Sequence, residues 1–119
     1  MRDYKKYDTW KIAHELVKEI YIISENFPKS ELFGLTSQIR RAAVSIPTNI
    51  GRGLWKIHRQ RIRKIYRNKI GSTNETEYLL LLSCDLNFTS PDTIADLNAK
   101  LNLTRQKLIQ LRKKLLNNN

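Results

Sequence analysis

The chain has 119 residues, an apolar share of 40%, and 22 Lys/Arg against 11 Asp/Glu, a net charge of +11. That length suits one domain over residues 1–119 with a core of its own, and that composition excludes wholesale disorder. The surplus of base directs the expectation toward a polyanionic partner: nucleic acid, anionic lipid or an acidic protein.

The N-terminal MRDYKKYDTW has basic residues with no apolar run behind them, so no secretory signal is expected. The first helical pattern follows at once: Trp10, Ala13, Leu16, Ile20, Ile23 and Phe27 step by three or four. Asp8 is placed to cap it and Pro28 to end it. A second pattern runs through Leu35, Ile39, Ala42, Ala43, Ile46 and Ile50, with Pro47 inside it as an expected kink. Gly51 and Gly53 are expected to loosen or stop that helix. The third takes in Ile62, Ile65, Tyr66, Ile70, Thr73, Leu80, Leu81 and Cys84. Ser90-Pro91 then reads as an N-cap followed by the first helical position. The fourth pattern is a heptad seam of Ile94, Leu97, Leu101, Thr104, Leu108, Leu111 and Leu115. Leu103, Ile109 and Leu116 lie off it and predict a second apolar contact surface. Frayed ends are expected over about 1–6 and 117–119. With no period-two alternation and no hairpin signal, the chain reads as all-α, an antiparallel up-down-up-down four-helix bundle.

Charge is distributed very unevenly along these elements. Arg52 to Lys69, RGLWKIHRQRIRKIYRNK, holds eight Lys/Arg and no acid. On a helix the pairs Lys56–Arg59, Arg59–Arg63, Arg61–Lys64, Arg63–Arg67 and Lys64–Arg67 repel, together by roughly 1–2.5 kcal/mol. Acids of a neighbouring helix (Glu15, Glu19 or Glu25) are one source of relief, and phosphates are another. Arg suits phosphate because its planar fork grips two oxygens and stacks on bases. The candidate nucleic-acid contacts are therefore Arg52, Lys56, His58, Arg59, Arg61, Arg63, Lys64, Arg67 and Lys69. Trp55 and Tyr66 lie in the same run and read either as base-stacking platforms or as core and interface residues. A second acid-free zone after Asp96 carries Lys100, Arg105, Lys107, Arg112, Lys113 and Lys114, part of which suits the helix dipole.

Little else points to chemistry. There is no HExxH, CxxC or Gly-rich phosphate loop, and His14 and His58 lack metal spacing. Thr36, Ser37 and Ser45 have no activating His or Lys at a suggestive spacing. No catalytic residue, metal or cofactor is expected. The single cysteine, Cys84, reads as a buried structural thiol and favours a reducing, cytoplasmic setting. The longest aliphatic run, Leu79–Leu82, is too short to span a membrane.

The segment FGLTSQIRRAAVSIPTNIGRG, Phe33 to Gly53, closely resembles the signature of the proteins encoded by intervening sequences in bacterial 23S ribosomal RNA genes. Trp10, Ala13, Leu16, Ile20-Tyr21, Phe27-Pro28 and Glu31 match upstream, and Gly71-Ser72, Asn74-Glu75, Glu77 and Leu80–Leu82 downstream. The resemblance covers roughly Tyr4 to Phe88. It implies a four-helix bundle assembled as a ring, typically a pentamer, with no enzymatic activity and an association with ribosomal RNA. Related bundles are accessory proteins of diversity-generating retroelements, where a basic ring engages nucleic acid and a reverse transcriptase. The signature's Arg40 and Arg41 read as structural, Arg40 being expected to pair with Glu75 or Glu77. One departure stands out: where relatives have Ala-Glu-Gly, this chain has Gly51-Arg52-Gly53.

The expectation is thus a basic, oligomeric, non-enzymatic RNA-binding protein. The alternative is an oligomeric scaffold or accessory for an acidic protein or a reverse transcriptase. Neither a membrane nor a small-molecule substrate is expected as a partner.

Overall fold

The structure is a computed structural model that describes residues 4–55 and 59–117, with side chains over 5–51 and 71–114. Its helices are α1 (Asp8–Ser24), α2 (Leu35–Trp55), α3 (Arg59–Asp85) and α4 (Pro91–Asn117), with short 3-10 turns at Tyr4–Lys6 and Lys29–Glu31. No strand occurs among the described residues. Each helix packs against its two neighbours in the cyclic order α1, α2, α3, α4, and the diagonal pairs stay apart. This is the expected antiparallel four-helix bundle, 47 × 25 × 21 Å.

The core follows the apolar patterns. Ala13, Leu16 and Ile20 of α1 meet Ile39, Ala43, Ile46 and Ile50 of α2, Leu80 of α3 and Leu101 of α4, all fully buried. The seam of α4 is buried from Ile94 to Leu111. Leu115 and Leu116 lie outside the described side chains, while Leu103 and Ile109 are exposed, as an outward second surface requires. Thr73, Thr76, Ser83 and Thr104 are also buried. The hydroxyls of Thr76, Ser83 and Thr104 each donate to a carbonyl one turn back, at 2.7–2.8 Å, so each is satisfied within its own helix.

Helix ends bear out some sequence expectations and correct others. Ser90 caps α4 as expected: its Oγ accepts the Thr93 N–H at 3.2 Å, and Pro91 opens the helix. Asp8 does not cap α1. The N-cap position belongs to Tyr7, in extended backbone with no side-chain cap, and Asp8 sits in the first turn. There its charge suits the helix dipole instead. Phe27 is not helical; α1 ends at Ser24 and Pro28 starts the short turn toward Glu31. Phe27 is nonetheless buried, tilted against Phe88 at 5.6 Å between ring centroids. The N-terminus of α2 is capped by Glu31, whose Oε2 accepts the Leu35 N–H at 3.0 Å.

Gly51 and Gly53 do not stop α2, which continues through both, and through Pro47, to Trp55. Burial of Ile46 and Ile50 outweighs the poor local propensity of these residues. The end of α3 is a Schellman motif built on asparagine. Asn87 has φ 65°, its N–H donates to the Cys84 carbonyl, and the Phe88 N–H donates to the Ser83 carbonyl, both at 2.9 Å. Asn is one of the few residues that enters the left-handed region readily, so it serves where glycine is usual.

Candidate nucleic-acid interface

Four antiparallel helices bring distant segments to the same end. Ser45 of α2 bonds to Ser72 of α3 at 2.6 Å, and Arg105 of α4 reaches Asn74 and Glu77 of α3. These contacts mark a mid-level across the bundle. On one side lie residues 4–14, 45–55, 59–72 and 104–117, with fifteen Lys/Arg and one acid, Asp8: a charge of +14. On the other lie residues 15–44 and 73–103, with five Lys/Arg and nine acids: a charge of −4. The molecule is electrically polarised along its length.

The sequence-expected contacts fall on the basic pole. Arg52 lies in α2, and Arg59, Arg61, Arg63, Lys64, Arg67 and Lys69 lie in the first turns of α3, whose backbone sets Arg59, Arg63 and Arg67 one turn apart. Lys56 and His58 lie outside the described residues, as do the side chains of Trp55 and Tyr66. The acids expected to offer relief are engaged elsewhere. Glu15 pairs with Lys18 at 3.0 Å, Glu19 with Lys100, and Glu25 with Arg40 at 3.6 Å. The hydrogen bond and charge of Lys18 hold the Glu15 carboxyl below its ordinary range.

The family described as 23S rRNA-intervening sequence protein matches residues 5–110. The chain belongs to that family. Its fold is also that of a crystal structure of a protein of unknown function from the S23 ribosomal protein family of Bacteroides thetaiotaomicron. The TM-score is 0.77 at 22% identity, covering 88% of this chain and 98% of the other. No curated protein matches the chain.

Within this family member, the two signature arginines have different surroundings. Arg40 does not meet Glu75 or Glu77. Its Nε donates to Ser24 Oγ at 2.8 Å, its guanidinium lies 4.6 Å over the Tyr21 ring, and Glu25 is its ion-pair partner. It therefore fastens α2 to the last turn of α1, and Glu77 pairs with Arg105 instead. Arg41 is exposed, with no ion-pair partner among the described residues. Cys84 is half-buried against the core rather than fully buried. His14 is exposed and stacks on Trp10 at 4.8 Å. No group of three His, Cys, Asp or Glu with metal-binding geometry occurs among the described residues. No helix among them is long and apolar enough to cross a membrane.

A second surface was not expected from sequence. Two hollows of about 420 and 460 Å³ lie end to end between α1 and α2 and share Val44. Trp10, Val17 and Pro47 line one; Tyr21, Leu32 and Phe33 line the other. Phe33 is 94% exposed, and its chain neighbour Leu32 is half-exposed. This exposed apolar surface is a candidate contact face. The signal in the sequence was only that Leu32 and Phe33 fall between the first two helical patterns rather than on either.

Proposed function

We propose that this family member is a non-enzymatic RNA-binding protein of the cytoplasm, with ribosomal RNA as its partner. The observation that carries this reading is the +14 pole of the bundle, set against −4 at the other. A density of Arg and Lys that repels itself on the bare protein is stabilised when phosphates enter between the charges. The family's description, which ties it to 23S rRNA, supports RNA as the source of those phosphates. Binding reads backbone more than bases, because helix surfaces rich in Arg and Lys contact phosphate first. The non-enzymatic part rests on the sequence, which carries no catalytic or metal-binding motif.

The protein acts as a homo-oligomer, a ring of five being the form the resemblance implies. The exposed apolar face between α1 and α2 supports self-association. Five copies carry about +55 and bind a long polyanion by avidity. The test is binding of a structured 23S rRNA fragment across a salt series. Tight binding at low salt with a steep loss at high salt is expected; no binding at low salt, or affinity indifferent to salt, overturns the reading.

The same apolar face favours a second reading, an oligomeric scaffold whose partner is an acidic protein or a reverse transcriptase. A partner retained after nuclease treatment of a pulldown, together with no RNA binding by the purified protein, would select it.

A further inference from the structure

The sequence places two separate basic stretches 36 positions apart, Arg52–Lys69 and Arg105–Lys114. The fold brings them to one end. α3 begins and α4 finishes at the same pole, and α1 starts there too. In the last turns of α4, Lys113 and Lys114 are exposed, and neither has an ion-pair partner among the described residues. Lys11 of α1 is exposed on the same pole. The acid with access to this end, Asp8, is held near Lys107. Upstream on α4, by contrast, Lys100 and Arg105 are committed to Glu19 and Glu77. The helix therefore divides: Lys100 and Arg105 fasten the bundle, and Lys113 and Lys114 face solution.

The helix dipole accounts for only part of this. It favours a cation in the last turn, where Lys114 lies. It gives no reason for Lys11, which sits near the N-terminus of α1, where the dipole disfavours positive charge. Nor does crowding cations onto one pole stabilise the bundle, since like charges at this spacing repel.

We infer that the RNA-binding surface is composite: Lys113 and Lys114 of α4, with Lys11 of α1, bind RNA phosphates alongside the basic start of α3. This rests on the RNA-binding reading above and extends it to residues on two further helices. It also gives binding a direction. The negative pole, with Asp85, Asp92 and Asp96, is repelled by the same phosphates, so the protein meets RNA with its positive pole leading.

The experiment measures fluorescence anisotropy of a labelled RNA hairpin against the full chain over a salt series. It compares the wild type with the variant Lys11→Gln/Lys113→Gln/Lys114→Gln and with Lys18→Gln/Lys29→Gln from the opposite half. Each lost phosphate contact removes about 0.7–0.9 from the slope of log affinity against log salt. The pole variant is expected to be shallower by about 2, with an unchanged thermal melt, and the opposite-half variant to match the wild type. A wild type that binds RNA and a pole variant with the same slope overturn the composite surface and leave the RNA-binding reading standing. A wild type that binds no RNA at low salt overturns both. Equal losses in the two variants show general charge loss and also overturn it. Vesicles of anionic phospholipid form a further arm: a pole-dependent loss there, with RNA binding unaltered, assigns the surface to lipid and overturns RNA.

Discussion

The two poles of this bundle are made of the same helices yet solve opposite problems. At the negative pole, several charges are committed to structural contacts: Glu31 caps α2, and Arg40 fastens two helices with Ser24, Tyr21 and Glu25. At the positive pole, among the described residues, fifteen cations face a single acid. The first arrangement stabilises the fold by itself, whereas the second is tolerated by the fold and, on the proposed reading, is completed by RNA phosphates. The comparison shows where to look for function: in the half whose charges the protein does not neutralise.

Neutralising the basic start of α3 has the largest expected effect. Arg59→Gln/Arg63→Gln/Arg67→Gln should reduce the salt slope of RNA binding by about 2–3 and cost most of the low-salt affinity. Its melting temperature should hold or rise, because repulsion is relieved. Unchanged affinity in a folded triple variant would return the start of α3 to a merely solvated face. The apolar face is the next lever. Phe33→Ser with Val44→Asp should lower the mass seen by sedimentation without unfolding the chain, since Phe33 is 94% exposed and leaves no cavity. A mass identical to wild type would remove the α1–α2 face from assembly.

Arg40→Ala should destabilise the fold by about 1–3 kcal/mol, the range for removing a charge-assisted bond and leaving its partners unpaired. RNA affinity of the folded fraction should not move. Chemical denaturation checks the first and the anisotropy assay the second; lost affinity at full stability would make Arg40 a contact after all. The smallest effect concerns Glu15. Its carboxyl is held low by Lys18, so the pair's contribution is present above the unfolded pKa and fades as pH falls through the folded one. Lys18→Met should return Glu15 to the ordinary carboxylate range in an NMR titration. Stability at neutral pH should barely change, as both groups are exposed.

Much of the fold is legible in the sequence because it is local. The three- and four-residue steps of α4 and the cap at Ser90 each need only one turn of chain to be recognised. Asp8 misled because a good capping residue does not choose its own backbone angles; Tyr7 took the extended conformation and Asp8 became helical. Gly51 and Gly53 misled because burial of Ile46 and Ile50 is a property of the assembled bundle. Arg40 has its partners across a chain reversal, at Tyr21, Ser24 and Glu25, and a periodicity cannot show which side of a helix meets which neighbour. The candidate site was legible as two basic stretches. That they share one end follows only once the number and direction of helices are known. The groove at Phe33 was invisible for a simpler reason: an apolar residue reads the same whether the core takes it or a partner does.

The even number of antiparallel helices has a practical consequence. Tyr4 and Asn117 are at the same pole, the one that carries the charge. If that pole binds RNA as proposed, an affinity tag or fluorescent fusion placed beyond Tyr4 or Asn117 would stand in its path. Labels belong instead on the turn between α3 and α4, where Leu86 and Ser90 are exposed on the far side of the molecule.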